Sequence, residues 1–180
     1  MPLIIRPYAD TDRAAMTALY TAAWHATYDA VDGAETIDRV IAALMTGESP
    51  EMFAMPSGDI ALVALHRGRI VGGMRGHPRG DAVHLSGMYV APEAQRLGIG
   101  GALLKELLRR LPDDTVLRAD VRPTSTSARA FYARQGFVET GRGRTDVGGN
   151  HCVDMVELRR DAKRSRWRFP FLRRRPTKSA

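Results

Sequence analysis

The sequence has a single cysteine, Cys152, among its 180 residues, so no disulfide can form within the chain. This suits a reducing compartment, and Cys152 is more typical of a small residue on a half-buried strand than of a nucleophile. Long apolar segments are also absent, since runs such as residues 60–65 are far too short to span a bilayer. The first ten residues do not resemble a signal peptide. We therefore expect a cytoplasmic protein without a membrane span.

The sequence also lacks the signals of three common kinds of site. The histidines show no metal-ligand spacing with one another or with acids, so the sequence predicts no metal. A Walker-type phosphate loop needs Gly-Lys-Ser/Thr, but Gly101 is followed by Ala102. A dinucleotide-binding fingerprint needs a glycine where Leu103 stands, and its glycines follow a strand directly. Here seven residues separate Val90 from Gly98.

Acidic residues are absent from residues 163–180, which carry eight lysines and arginines. Without these residues the net charge of +7 falls to −1, so the basic balance belongs to a tail. Aromatic side chains between the arginines are typical of contact with an anionic membrane surface or RNA, and a solvated tail is the alternative. The sequence predicts one domain over residues 1–160 and a flexible basic tail over 161–180.

Apolar periodicity and turn residues predict strands and helices in mixed order. The predicted elements are a strand at 3–6, a helix from a cap at Asp10 or Thr11 to about residue 28, a helix at 36–45, a hairpin turning at Gly68, a strand at 82–90, a helix after Gly98, a strand at 116–121, a helix at 126–135 ended by Gly136, and paired strands at 137–141 and 152–158. Strand, helix and strand around residue 98 make a right-handed parallel crossover unit.

Glycines gather at the start of the helix that follows "MYVAPEAQRL". The first amides of a helix lack internal partners, and the helix dipole adds partial positive charge, so this end suits a phosphate. Gly98, Gly100 and Gly101 remove side chains that would hold an anion away. Apolar residues at helical spacing behind them anchor the helix to the sheet.

Two motifs together resemble those of the GNAT superfamily of N-acetyltransferases. The first is "MYVAPEAQRLGIGGALL", which is similar to a Leu-Tyr-Val-like strand end, a Pro-containing loop and Q/R-x-x-G-x-G/A opening a helix. The second is "STSARAFYARQGF", which is similar to N-x-x-A-x-x-F-Y followed by Gly-Phe. With "IIRPYADTDRAAM" upstream, the resemblance covers roughly residues 3 to 159.

The resemblance implies an α/β (α+β) fold: one domain with about four helices and a mixed, mostly antiparallel seven-stranded sheet. A central parallel strand pair is expected to splay apart for acetyl-coenzyme A. In the family the pyrophosphate lies on backbone amides, here those of residues 96–102, and the pantetheine arm runs along the strand at Met88 and Val90. The implied cofactor-binding residues are Met88, Tyr89, Val90, Gln95, Arg96, Leu97, Gly98, Ile99, Gly100, Gly101, Ala102, Ser125 and Phe131. Ser125 stands where the family has Asn, and a helix cap is its alternative role.

The implied reaction is direct attack of a neutral amine on the thioester, with release of coenzyme A. Tyr132 occupies the family's acid position, with core packing as its alternative. Asp120 stands where one branch has a catalytic Glu, and His84 or water is the alternative base. An Asp that balances Arg118 or Arg122 on an exposed face is an equally good interpretation of Asp120.

The resemblance implies that the acceptor lies between the first two helices and the final hairpin. Trp24 and Tyr28, at an i, i+4 spacing, are the candidate substrate-binding residues, and a core pair is the commoner alternative. Protein amino termini, small amines and aminoacyl-tRNA all stay open as acceptors, as do a monomer and a homodimer. A non-catalytic acyl-coenzyme A binding module, recruited by the tail to membrane or nucleic acid, is the alternative function.

Overall fold

The computed structural model describes residues 2–46 and 58–162, and the predicted basic tail, 161–180, lies outside this range from residue 163 onward. Within it the elements follow the order β1 (Ile4–Pro7), α1 (Arg13–Asp32), α2 (Ala34–Thr46), β2 (Ile60–His66), β3 (Arg69–Arg79), β4 (Ala82–Val90), α3 (Ile99–Arg109), β5 (Val116–Val121), α4 (Thr126–Arg134), β6 (Val138–Asp146) and β7 (Cys152–Arg160). In this part of the chain no helix is long and apolar enough to cross a membrane.

The seven strands form one mixed sheet in the order β1-β2-β3-β4-β5-β7-β6. All neighbouring pairs are antiparallel except β4 and β5, which are parallel and are joined through α3. The predicted α+β fold with four helices and a seven-stranded, mostly antiparallel sheet is therefore confirmed. The predicted hairpin at Gly68 is present, and Arg67 and Gly68 both have positive φ (52° and 77°), as a two-residue hairpin turn requires.

The first helix begins and ends differently from the prediction. A single 3₁₀ turn, Asp10–Asp12, precedes α1, and the N-cap residue of α1 is Asp12 rather than Asp10 or Thr11, with its carboxylate bonded to the 3₁₀ turn instead of to α1. Its Oδ2 accepts the Ala9 N–H at 2.9 Å, and Arg6 holds it through two short hydrogen bonds. The helix runs on to Asp32 because the next glycine, with φ 82°, is the first residue suited to end it.

The core lies on both faces of the sheet. The predicted leucine stripe of α3 is buried, and Leu103, Leu104 and Leu107 are at most 1% exposed. Each such side chain contributes roughly 1.5–3 kcal/mol relative to an exposed one. A second apolar cluster between α1 and α2 consists of Trp24, Ile37, Val40 and Leu44. The two clusters hold α3 and α1 in place against the central strands.

The central parallel pair opens into a fork. Backbone pairing of β4 with β5 begins at Ala82 and Val116 and ends at Leu85 and Ala119. Beyond that point β4 stays paired with β3 as far as Val90, and β5 stays paired with β7. Each arm of the fork is thus supported by its outer neighbour, which confirms the predicted splay.

Candidate active site in the strand fork

The β4 arm of the fork carries a β-bulge. Ser86 pairs with Arg75 and Tyr89 with Gly73, so two residues of β4, Gly87 and Met88, lie opposite one residue of β3. A bulge leaves backbone groups outside the ladder and turns them away from it. The Tyr20 hydroxyl of α1 donates to the Gly87 carbonyl at 2.9 Å and holds the bulge in place.

The loop between β4 and α3 presents the helix start without side-chain partners. Gly98 is the N-cap residue in the left-handed conformation (φ 79°), and no side chain caps the helix. The first helical hydrogen bond runs from the Ala102 N–H to the Gly98 carbonyl at 3.0 Å. The three amides before Ala102 lack helical acceptors, which is the arrangement that binds anions.

The three glycines of this segment have different roles. A side chain at Gly98 would meet no neighbour, and its left-handed φ is what requires glycine. A Cβ at Gly100 would lie 3.3 Å from Phe131, so this glycine lets α4 approach α3 closely. A Cβ at Gly101 would have only the Gln135 side chain, at 4.0 Å, within reach. The expected role, leaving room for an anion, fits Gly101 best.

Gln95 and Ser125 lie near the fork, and only the Gln95 side chain has a hydrogen-bond partner among the described residues. The Gln95 amide donates to the Val90 carbonyl at 3.3 Å and ties the loop to the end of β4. Ser125 is the N-cap residue of α4, but its hydroxyl makes no capping hydrogen bond. The Ser125 Oγ is buried and has no hydrogen-bond partner among the described residues. Its hydrogen-bonding capacity is therefore unused by the described residues.

Tyr132 packs in the core beside the fork. Its ring makes edge contacts with Phe131 and Phe137, with centroids 5.2 and 4.9 Å away, and the residue is 7% exposed. Burial raises the pKa of the Tyr132 phenol above its ordinary value. The hydroxyl thus keeps its proton throughout the neutral pH range and is available as a donor.

The structure brings together the two side chains that the sequence offered as alternative bases. The His84 Nε2 lies 3.4 Å from Asp120 Oδ2, close to the point where β4 and β5 stop pairing. Burial lowers the pKa of His84, and the Asp120 carboxylate opposes that shift. Arg122 pairs with Asp32 instead of Asp120, so the interpretation of Asp120 as a balance for Arg122 is not what the structure shows.

Three distant parts of the chain meet beside the end of β5. Arg122, just beyond β5, forms a bidentate pair with Asp32 at the end of α1, and the second contact measures 2.9 Å. Its guanidinium lies 4.8 Å from the centroid of the Tyr28 ring. His151 of the β6–β7 turn lies 3.7 Å from the same carboxylate. We call Arg122, Asp32 and His151 the clasp.

The candidate substrate residues lie at different depths. Trp24 is 7% exposed and belongs to the apolar cluster between α1 and α2, which favours the core interpretation. Tyr28 is half-buried, stacks edge-on against Trp24 at 5.4 Å and borders the clasp. Tyr89 also packs against this group, 5.0 Å from Tyr20, and burial raises its pKa well above the ordinary value.

A metal centre has no ligand set in residues 2–46 and 58–162, where no three of the histidine, cysteine and acidic side chains are grouped as a metal site requires. Leu97 of the loop is a large apolar side chain that stays 63% exposed. Met88 and Val90 are half-buried at the fork. These three residues, with the amides described above, form the surface available to a long ligand.

The fork, the bulge and the uncapped helix start define an α+β fold of the acyltransferase class. The chain belongs to the acetyltransferase (GNAT) family, whose model matches residues 14–137. Comparison with curated proteins finds no match.

Solved structures share this fold. The PaiA N-acetyltransferase from Thermoplasma acidophilum, in complex with coenzyme A, is 19% identical, with a TM-score of 0.73 over 89% of this chain and 99% of that chain. A ribosomal-protein-alanine N-acetyltransferase from Escherichia coli is 20% identical, with a TM-score of 0.66 over 94% and 100%. Its counterpart from Brucella melitensis is 25% identical, with a TM-score of 0.62 over 88% and 99%.

Sequence reasoning missed the clasp and the tyrosine that holds the bulge. Asp32 and Arg122 are 90 positions apart, and no local pattern indicates that they pair. Tyr20 lies on the same face of α1 as Trp24, four residues on, so its helical spacing was a usable signal for a residue facing the sheet. Its partner, the Gly87 carbonyl, depends on a bulge that the strand pattern does not reveal.

Proposed function

We propose that the protein transfers the acetyl group of acetyl-coenzyme A directly to a primary amine. The fork carries this proposal, because it exposes the β4 backbone beside an uncapped helix start. The bulge at Gly87 and Met88 interrupts the pairing of β4 with β3, and its amides are assigned to the thioester carbonyl, while the α3 start supplies amides for a diphosphate. The Ser125 hydroxyl and the open space at Gly101 support the same placement.

Acetyl-coenzyme A supplies an activated acyl group, and the chain supplies proton transfer and orientation. The His84–Asp120 pair takes the proton from the attacking amine, since a neutral histidine near a carboxylate is suited to that role. Tyr132 donates its proton to the departing thiolate sulfur. Amides at the bulge stabilise the oxyanion that forms when the amine attacks.

The acceptor is proposed to be a protein amino terminus or a small primary amine. Two structural neighbours are named as ribosomal-protein-alanine N-acetyltransferases, which supports the first of these. The acceptor would approach from the side of Tyr28 and the clasp, opposite the glycine segment. Aromatic rings at that wall are suited to an amine that arrives as a cation and loses its proton at His84.

Thiol release in the presence of a panel of amines tests the proposal, with peptides that begin with Ala among the acceptors. We expect turnover with at least one amine, and a loss of about 100-fold or more in kcat for Tyr132→Phe, the range of a lost general acid. Tyr8→Phe, which removes a phenol hydroxyl just beyond the edge strand β1, is the matched control and should keep full activity. Tight acetyl-coenzyme A binding with no turnover for any amine would support the non-catalytic binding module instead.

A further inference from the structure

A second polar cluster lies at the fork, outside the residues assigned to amine acetylation. Ser86 Oγ lies 2.6 Å from His77 Nε2, and His77 Nδ1 lies 2.8 Å from Asp59 Oδ2. The Arg75 Nε donates to the same Asp59 oxygen at 2.9 Å. The side chains of Arg75, His77 and Asp59 are 4%, 11% and 7% exposed, so these contacts are largely shielded from solvent.

The contacts follow the order carboxylate, imidazole, hydroxyl that activates a serine nucleophile. A carboxylate that accepts the Nδ1–H of His77 fixes the ring tautomer and leaves Nε2 to accept the Ser86 hydroxyl proton. The lone pairs of Oγ then become available for attack on a carbonyl. Such a constellation is recognised by geometry and not by chain order or fold.

Ser86 lies on β4 between the paired part of the fork and the bulge. Ser86 is the first residue of β4 beyond the last pair of the fork, Leu85 with Ala119, and it directly precedes the bulge. The amides of Gly87 and Met88 are the next donors along the chain, so an oxyanion on a carbonyl attacked by Ser86 would form beside them. Nucleophile and base are therefore in contact, and the candidate oxyanion donors follow the nucleophile directly in the chain.

We propose that Ser86, His77 and Asp59 form a nucleophilic relay that accepts an acyl group on Ser86 Oγ and passes it to water. Oγ attacks the carbonyl carbon of an activated ester or thioester while its proton moves to His77 Nε2. The bond to the alkoxide or thiolate breaks, and the leaving group takes that proton. Water then attacks the acyl-serine, gives its proton to His77, and releases the carboxylic acid as Ser86 recovers its hydrogen.

Arg75 affects the rate of this reaction, and the acyl donor can be either a thioester or a small activated ester. The Arg75 guanidinium already neutralises the Asp59 carboxylate. The carboxylate therefore stabilises a protonated His77 ring less, and we expect turnover to be slow. Acetyl-coenzyme A as the donor rests on the proposed function, whereas a small activated ester needs no coenzyme site. The small ester therefore tests the relay separately from coenzyme binding.

The experiment treats the full chain with p-nitrophenyl acetate, and in parallel with acetyl-coenzyme A, without any amine. Peptide mass mapping should find one acetyl group on Ser86, with slow release of p-nitrophenol or of coenzyme A thiol. Ser86→Ala should abolish both signals, and His77→Gln should lower the acylation rate by about 100-fold. Ser127→Ala, at an exposed position of α4, is the matched control and should react like the unaltered protein.

Ser86→Cys separates chemistry from folding, because its thiol keeps a nucleophile at the position and should be acetylated as a thioester. Equal p-nitrophenol release by the unaltered protein and Ser86→Ala, with acetyl groups on other residues only, would overturn the relay. Acylation by the small ester but not by bound acetyl-coenzyme A would overturn the thioester as donor. If acetyl-coenzyme A does not bind at all, the proposed function fails and the small-ester result alone decides this inference.

Discussion

At the scale of single residues, burial determines which groups near the fork are protonated. It raises the pKa of the Tyr132 phenol and lowers the pKa of the His84 imidazole. Both side chains are therefore neutral near pH 7, one as a proton donor and the other as an acceptor. This is the combination that acetyl transfer from a thioester to an amine uses.

The Asp120→Asn substitution tests which member of the His84–Asp120 pair takes the proton. Asp120 opposes the lowering of the His84 pKa, so its removal should lower that pKa further. If His84 is the base, the acidic limb of kcat/KM against pH moves to lower pH and activity at neutral pH is largely kept. Measured pH profiles of the unaltered protein and the variant give the sign of the shift.

The opposite outcome has a different profile. If Asp120 itself is the base, Asp120→Asn loses about 100-fold or more at every pH, and the limb does not move. Asp154→Asn, an exposed acid on β7, is the matched control for the change in net charge. The family resemblance pointed to Tyr132 and Asp120, and the chemistry of histidine added His84, but their mutual distances depend on strand register, which a motif does not contain.

At the scale of elements, the start of α3 shows how similar residues come to differ. Gly98, Gly100 and Gly101 are alike in the sequence. In the structure, Gly98 is needed for its left-handed backbone conformation and Gly100 for the close contact between α3 and α4. Gly101 meets neither of these requirements. Helix periodicity predicted where α3 lies and which face it buries, because those depend on residues a few positions apart. Its approach to α4 depends on packing between separate elements.

Gly101→Ala should change stability and ligand affinity in opposite directions. Alanine in place of glycine inside a helix raises the free energy of unfolding by about 0.5–1 kcal/mol, and the new methyl group meets no close neighbour. A methyl group between the amides and a phosphate should weaken acetyl-coenzyme A binding by about tenfold, or roughly 1.4 kcal/mol. Urea unfolding and calorimetric titration measure the two effects.

Gly100→Ala is the comparison variant, because its methyl group would lie 3.3 Å from the Phe131 ring. We expect little or no increase in its free energy of unfolding, because displacing the Phe131 ring offsets the stabilisation that alanine gives inside a helix. An unchanged affinity in Gly101→Ala, together with the expected gain in stability, would show that no anion is bound at this helix start.

At the scale of the whole molecule, the clasp connects α1, the end of β5 and the β6–β7 turn. The side chains of Arg122 and Asp32 are 13% and 9% exposed, so the pair is largely shielded from water. Hydrogen bonding to Arg122 lowers the pKa of Asp32, which therefore stays ionised at neutral pH. The clasp fixes the wall where the acceptor is proposed to bind.

Arg122→Ala should destabilise the protein strongly, because it leaves the Asp32 carboxylate buried without its partner. The expected loss is about 3 kcal/mol in the free energy of unfolding, measured by urea denaturation at pH 7. Since the pKa of Asp32 is lowered in the folded chain, the contribution of this pair is present above the ordinary Asp pKa and disappears as pH falls through the lowered value. The difference between the two proteins should therefore shrink in acid.

Arg142→Ala is the matched control, since Arg142 pairs with Glu139 on the surface with its side chain 71% exposed. It should cost less than about 1 kcal/mol, as solvent-exposed pairs do. Equal losses for Arg122→Ala and Arg142→Ala would show that the clasp contributes no more than a surface ion pair.

The sequence by itself determined the type and order of the elements though not all of their ends, the leucine face of α3, the family and the residues of its two motifs. These follow from side chains a few positions apart, where backbone preference and periodicity act. The basic tail beyond residue 162 stays a prediction of composition alone. Only the tertiary structure decided that β4 and β5 separate after Leu85, that His84 meets Asp120, and that Ser86 meets His77 and Asp59. Such contacts are set by strand register and by packing between distant segments, and those depend on the whole chain at once.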